Sequence, residues 1–224
     1  MKHFMLILWV SAATALQAQY SYSSGGAFSL GVQSLPTSEL LSLTPDAPEL
    51  NSTNFSFGGY GIWQIQRFMV GFKGAGIYGS TTEQNGLDYR VQGGYWSLDL
   101  GYKVINRDRF GLYPLIGIGL GGVTYSVASQ QDINLTVPVS FNNATFDWSG
   151  VVLDIGLRAE HLFGLKETNG QKGGGFYGLE LGYMVSPANS DWKTAGGSRI
   201  VGAPDYGLNG FYARLLIGGM GGKS

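Results

Sequence analysis

The sequence predicts an all-β fold, an eight-stranded antiparallel up-and-down transmembrane β-barrel that follows a cleaved signal peptide. Three observations predict it. Eight separate segments alternate apolar and mixed residues with period two, as strands with two unlike faces do. The connections between those segments alternate between longer and shorter. The composition is rich in glycine and aromatics and poor in charge, with 37 Gly, 13 Tyr and 12 Phe against 14 basic and 15 acidic residues in 224. Average usage is about 7% Gly and about 25% charged residues, so neither an ordinary water-exposed globule nor a disordered chain fits. A formal net charge of −1 leaves no electrostatic footprint for nucleic acid. The lack of Cys excludes disulfide scaffolds, thiolate metal sites and Cys nucleophiles.

The first element is an export signal. Met1-Lys2-His3 is a short basic start, residues 4–16 are largely apolar, and Ala13, Ala15 and Ala18 offer small residues for cleavage. This run is shorter than the roughly 20 residues that a membrane helix needs. Residues 1–18 are therefore expected to be removed, leaving 19–224 as one barrel domain. Beyond residue 18 no apolar stretch can span as a helix, so any crossing must use strands.

The strands follow in order. Phe28, Leu30 and Val32 oppose Ser29, Gly31 and Gln33. Residues 54–64 are strand-like, but their glycines leave the facing open. Phe68, Val70 and Phe72 oppose Gly71 and Lys73. Trp96, Leu98, Leu100, Tyr102 and Val104 oppose Tyr95, Ser97, Asp99, Gly101 and Lys103. Leu112, Ile116, Ile118 and Leu120 oppose Gly117, Gly119 and Gly121. Leu153, Ile155 and Leu157 oppose Asp154, Gly156 and Arg158. Tyr177, Leu179 and Leu181 oppose Gly178, Glu180 and Gly182, and Phe211, Ala213, Leu215 and Ile217 oppose Tyr212, Arg214, Leu216 and Gly218.

The connections are 35–53 (long), 65–67 (tight), 80–87 (medium), 106–109 (tight), 128–149 (long), 162–174 (medium) and 187–209 (long). An outer-membrane barrel has this form, with short periplasmic turns and longer extracellular loops. An even strand number also returns both termini to one side.

Charge sets the register. One face carries none, whereas the other holds Lys73, Asp99, Lys103, Asp154, Arg158, Glu160, Glu180 and Arg214. Asp88 and Arg90 would break the rule in a regular strand, and are read as loop-end residues. A basic side chain facing lipid at the bilayer midplane costs about 2–4 kcal/mol, so the apolar face is assigned to lipid and the charged face to the lumen. Opposite charges there are nearly balanced, which predicts a hydrogen-bonded network. Inward glycines leave room for the larger lumen side chains, and an eight-stranded interior is just wide enough to be filled by side chains. Trp63, Phe68, Tyr102 and Tyr177 fall toward the tight turns, and Tyr78, Tyr183 and Phe211 toward the long loops, as two interface girdles of aromatics would.

With these patterns, the chain resembles the eight-stranded outer-membrane barrels of the OmpX, OmpW and OmpA-membrane-domain type, and more narrowly the Gly-rich small barrels of Bacteroidota. The resemblance is motif-like in FGGYGIWQIQRFMVGFKG (57–74) and GFYARLLIGG (210–219), and extends as a pattern over the mature chain. It departs at the end, which is Gly-Gly-Lys-Ser where many such barrels end in an aromatic residue. The resemblance implies an outer membrane of a Gram-negative bacterium and no catalytic residues.

Motifs of other chemistry fail on context. Residues 74–79 match G-x-G-x-x-G, but a polar loop follows where a dinucleotide site needs a helix N-terminus. The terminal Gly-Lys-Ser lacks the glycine that opens a P-loop, since position 217 is Ile. His161 is the one histidine of the mature chain and lies at the turn end of its strand, which suits an interfacial residue better than a general base. No Asp-rich loop for calcium occurs. Sequons at Asn51, Asn54, Asn134 and Asn143 mark polar loops. The expectation is a non-enzymatic barrel with a side-chain-filled lumen and no cofactor or metal, in contact with outer-membrane lipid and lipopolysaccharide. Its long loops would meet a surface protein or glycan. A narrow passive channel for small or hydrophobic solutes and a soluble secreted β-sandwich are the alternatives; a lipid-modifying enzyme would need His161.

Overall fold

A computed structural model describes residues 22–44, 47–107, 109–129, 143–168, 170–187 and 191–223. Eight long strands close into one ring. They are β1 (Tyr22–Ser34), β2 (Thr53–Ile65), β3 (Phe68–Tyr78), β4 (Leu87–Tyr102), β5 (Phe110–Ser129), β6 (Ala144–Thr168), β7 (Gln171–Val185) and β8 (Gly210–Lys223). Each is antiparallel to the strands before and after it, and β8 returns to β1 with Leu215 opposite Leu30. A closed ring excludes the two-sheet sandwich. The signal segment 1–18 and Asn134 lie outside the described residues.

Tight turns join β2 to β3, β4 to β5 and β6 to β7 at the end where Tyr22 pairs with Lys223. Gln66 adopts φ 55° in the first of these turns. At the other end, Thr82–Gln84 folds back on the start of β4 through Asn85 (φ 54°) and Gly86 (φ 74°). Two successive positive φ values are what a two-residue hairpin turn demands, and Asn-Gly supplies them at little strain.

Two connections differ from the sequence expectation. Residues 162–174 are not a medium loop, because β6 runs to Thr168 and β7 begins at Gln171. A bulge between Phe163 and Lys166, with Gly164 at φ 60°, shifts the register there. It breaks the period-two alternation and disguises strand as loop. The connection expected over 128–149 is also shorter, since β5 continues to Ser129 and β6 starts at Ala144.

The wall has two faces, and they exchange character at one level. Over most of the ring the outward face is apolar: Leu98, Ile116, Ile118, Ile155, Leu179 and Leu215 are all exposed. In β2, Phe55, Phe57 and Trp63 point outward while Asn54, Ser56, Tyr60 and Ile62 are buried, which settles the facing that the glycines left open. Beyond the paired Gly94 and Gly122, toward the long loops, the pattern inverts. The outward positions become Arg90, Gln92, Thr124, Ser126 and Asp147. The inward ones become Tyr89, Val91, Val123, Tyr125, Val127 and Trp148, none more than 7% exposed. Asp88 and Arg90 lie at the loop end of β4 as expected, but within regular strand, on an outward face that has already turned polar. Outside, apolar gives way to polar, and inside, polar gives way to a packed core.

Candidate functional site: the lumen and its cap

The lumen is filled in three layers. Nearest the tight turns, Ile62, Met69, Tyr113, Leu115, Phe176 and Leu216 form an apolar floor. Nearest the long loops, Ile77, Tyr89, Tyr125, Trp148 and Val152 form a larger apolar cluster. Between them lie Lys73, Asp99, Asp154, Arg158, Glu180 and Arg214, while Lys103 and Glu160 sit toward the turns against Tyr113 of the floor.

All eight charged residues assigned to the lumen from sequence are buried, none more than 5% exposed. The strand register aligns Arg158 of β6, Glu180 of β7 and Arg214 of β8 in one cross-strand row. Arg158 donates two hydrogen bonds to Glu180 Oε2, from Nε at 3.0 Å and Nη2 at 2.5 Å. Lys73 Nζ reaches Glu180 at 3.1 Å, Asp99 at 3.0 Å, and Asp154 as well. Arg214 Nη1 lies 3.7 Å from Glu180, and its Nη2 donates to Gln33 Oε1 at 2.9 Å. Lower down, Lys103 lies 3.8 Å from Glu160, which also accepts from the Tyr113 hydroxyl. Four cations thus face four carboxylates, with Glu180 and Lys73 each at the centre of three opposite charges. Burying an ion costs several kcal/mol unless its remaining hydrogen-bonding capacity is met, and here tyrosines help to meet it. Tyr60 donates to Asp99 at 2.7 Å and Tyr212 to Asp154 at 2.8 Å. The same two rings stack under Arg158 and Arg214, each 3.8 Å from guanidinium carbon to ring centroid.

Glycine opposite these tyrosines is a space requirement. A Cβ on Gly182 would lie 2.4 Å from the Tyr212 ring, and one on Gly71 2.5 Å from that of Tyr60.

The alternation places Tyr95 and Tyr212 on the charged face beside Asp99 and Arg214, but it places neither Tyr60 nor Tyr113, and it gives no sign of the cap. Two long loops turn inward over the barrel mouth and bury Leu35, Leu40 and Leu50 from the first, and Trp192, Tyr206 and Leu208 from the last. The first loop winds into a 3-10 helix (Thr37–Ser42), tied down by Thr37 Oγ1 donating to Leu50 O at 3.0 Å. Thr44 and Tyr125 share a hydroxyl hydrogen bond of 2.5 Å. In the last loop Lys193–Thr194 adds a short strand to the free upper edge of β6, at Phe146 and Asp147. Glu39 and Asp205 bring like charges together where the two loops meet. Burial and then Asp205 push the Glu39 carboxyl above its ordinary 4.5, and burial and then Glu39 push the Tyr206 hydroxyl upward.

The seven aromatics expected at the two interfaces all point outward and are exposed, from Tyr183 at 36% to Phe211 at 72%. Phe68 meets Tyr102 edge-on at 5.2 Å near the tight turns, and Tyr183 meets Phe211 edge-on at 4.6 Å near the long loops. His161 stacks on Tyr177 at 5.2 Å on the outer wall. The glycines of residues 74–79 lie within or just after β3, with no helix following. Among the described residues no group of His, Cys, Asp or Glu is placed to hold a metal ion.

No family model and no curated protein matches the chain. Among solved structures, it is similar to Ail of Yersinia pestis, determined in complex with the heparin analogue sucrose octasulfate, at 12% identity and a TM-score of 0.41, over 92% of this chain and 97% of that one. A major outer membrane protein from Thermus thermophilus is similar at 10% identity and 0.45, over 91% and 99% of the two chains. The outer membrane protease OmpT of Escherichia coli is similar at 9% and 0.35, over 92% and 97%. The assignment as an eight-stranded barrel rests on this chain's own closed ring and register.

Proposed function

We propose that the protein spans the outer membrane of a Gram-negative cell as a closed, non-enzymatic barrel, and that its capped long-loop end serves a structural or surface-contact role. One observation carries this reading: apolar floor, neutralised charge layer and loop cap succeed one another along the lumen. An ion entering would have to displace packed Tyr, Trp and Leu side chains and then break into a cluster in which each cation already faces a carboxylate. The outward surface of the last loop carries the exposed ion pair of Arg199 with Asp191 at 2.8 Å, beside the exposed Val201. Such a surface suits glycan or protein contact better than uptake of a greasy solute.

Reconstitution into planar bilayers is the test. The closed barrel predicts no unitary current steps at moderate voltage, whereas a reproducible step current would favour the narrow-channel alternative and overturn the seal.

A further inference from the structure

We propose that a groove on the outer wall, between β6, β7, β8 and β1, holds one acyl chain of an outer-leaflet lipid. The inference rests on the membrane reading above. The groove has a volume of 670 Å³ and opens toward the surroundings of the barrel, not its lumen. Its origin is a single small residue. In one cross-strand row the outward side chains are Val32, Ala213, Leu181 and Leu157. Ala213 puts a methyl group where its neighbours put larger chains, so the wall dips to the backbone there. Phe211, leaning edge-on against Tyr183, raises the upper side of the dip.

Three features select an acyl chain. No charged side chain lines the groove. The backbone in its floor is spent in the strand ladders (Ala213 opposite both Val32 and Leu181), so a peptide laid there would find no partner for its own amides. Polarity rises only at one end, where Ser34 and Thr53 are paired at the first long loop. A lipid has the same gradient, apolar along its chain and polar at its ester and headgroup. The loop-end position of those hydroxyls selects the leaflet on the cap side. Lipid chains are as apolar as leucine, so preference for this site comes from shape and close van der Waals contact rather than from leaving water.

Native mass spectrometry of the detergent-purified protein, with a saturated diacyl phosphatidylglycerol as probe, tests this. The wild type is expected to retain one lipid on release from the micelle. Ala213→Phe fills the groove and should lower that retention about tenfold. Leu98→Phe, on the outward face of β4 across the ring from β8, should leave it unchanged. Ala213→Val, a smaller filling, should give an intermediate loss and stands in if the larger substitution prevents folding. A wild type that retains no lipid, equal retention in every variant, or a dimer signal that vanishes with Ala213→Phe would each overturn the proposal. The unboiled gel band separates the two levels. If the wild type runs no faster unboiled than boiled, the membrane reading itself fails; if it does so while retention is indifferent to Ala213, only the groove assignment fails.

Discussion

Glu180→Ala is expected to produce one of the two largest losses of stability available in this chain. Glu180 is 1% exposed, and its removal leaves Lys73, Arg158 and Arg214 facing one another with one carboxylate fewer. Breaking a buried ion pair from one side costs about 3–5 kcal/mol, because the remaining charge is stranded without water. Lys73 retains Asp99 and Asp154, whereas Arg158 loses both of its charge-assisted hydrogen bonds to Glu180 and should bear most of the loss. The urea midpoint of the fast-running unboiled band measures the effect. Pairing the change with Arg158→Met removes the stranded partner, so the double variant should be more stable than the single one. A midpoint for Glu180→Ala equal to that of the wild type would mean that the carboxylate is solvated and the lumen wet.

Ile116→Arg addresses the outside of the same wall. Ile116 is 66% exposed and lies in the middle of the apolar run from Leu112 to Leu120 on β5. For a water-facing residue this substitution is nearly neutral, within about 0.5 kcal/mol. For one facing the bilayer midplane it costs about 2–4 kcal/mol. Thr145→Arg, above the level at which the faces exchange character, provides the comparison on the neighbouring strand. Ile116→Arg is expected to lower both the yield of membrane-inserted protein and its urea midpoint, with Thr145→Arg close to the wild type. Equal behaviour of the two variants would remove the basis for placing a bilayer edge at Gly94 and Gly122.

What the sequence made legible is what strand geometry enforces everywhere. Because successive side chains take opposite faces, Leu98 against Asp99 and Leu157 against Arg158 already state which face carries the charge. Seven repeats of that alternation and one further strand of open facing, with alternating connections, state the ring. The reversal above Gly94 is harder to find, since period two persists while its meaning changes: Tyr89 and Val91 still alternate with Arg90 and Gln92. Beside the lower part of the same strand, these residues resemble an exception. The hairpin of β6 and β7 is hidden by the bulge at Gly164, which breaks the period without ending the strand. The cap leaves no periodic trace at all. Leu35, Leu40, Leu50, Trp192, Tyr206 and Leu208 are scattered through irregular segments, and only the tertiary arrangement tells which of them turn inward.

That hydrocarbon chains cover the exposed apolar face is the central claim, and Trp96 can report it directly. Trp96 points outward and is 46% exposed, whereas Trp148 is buried beneath the cap and Trp192 within it. A variant retaining Trp96 alone, and another retaining Trp148 alone, would be reconstituted in vesicles whose acyl chains carry bromine. Strong quenching of Trp96 emission with little change for Trp148 is the predicted result. Undiminished Trp96 emission, with the folded protein recovered from the aqueous phase, would contradict the account at its foundation.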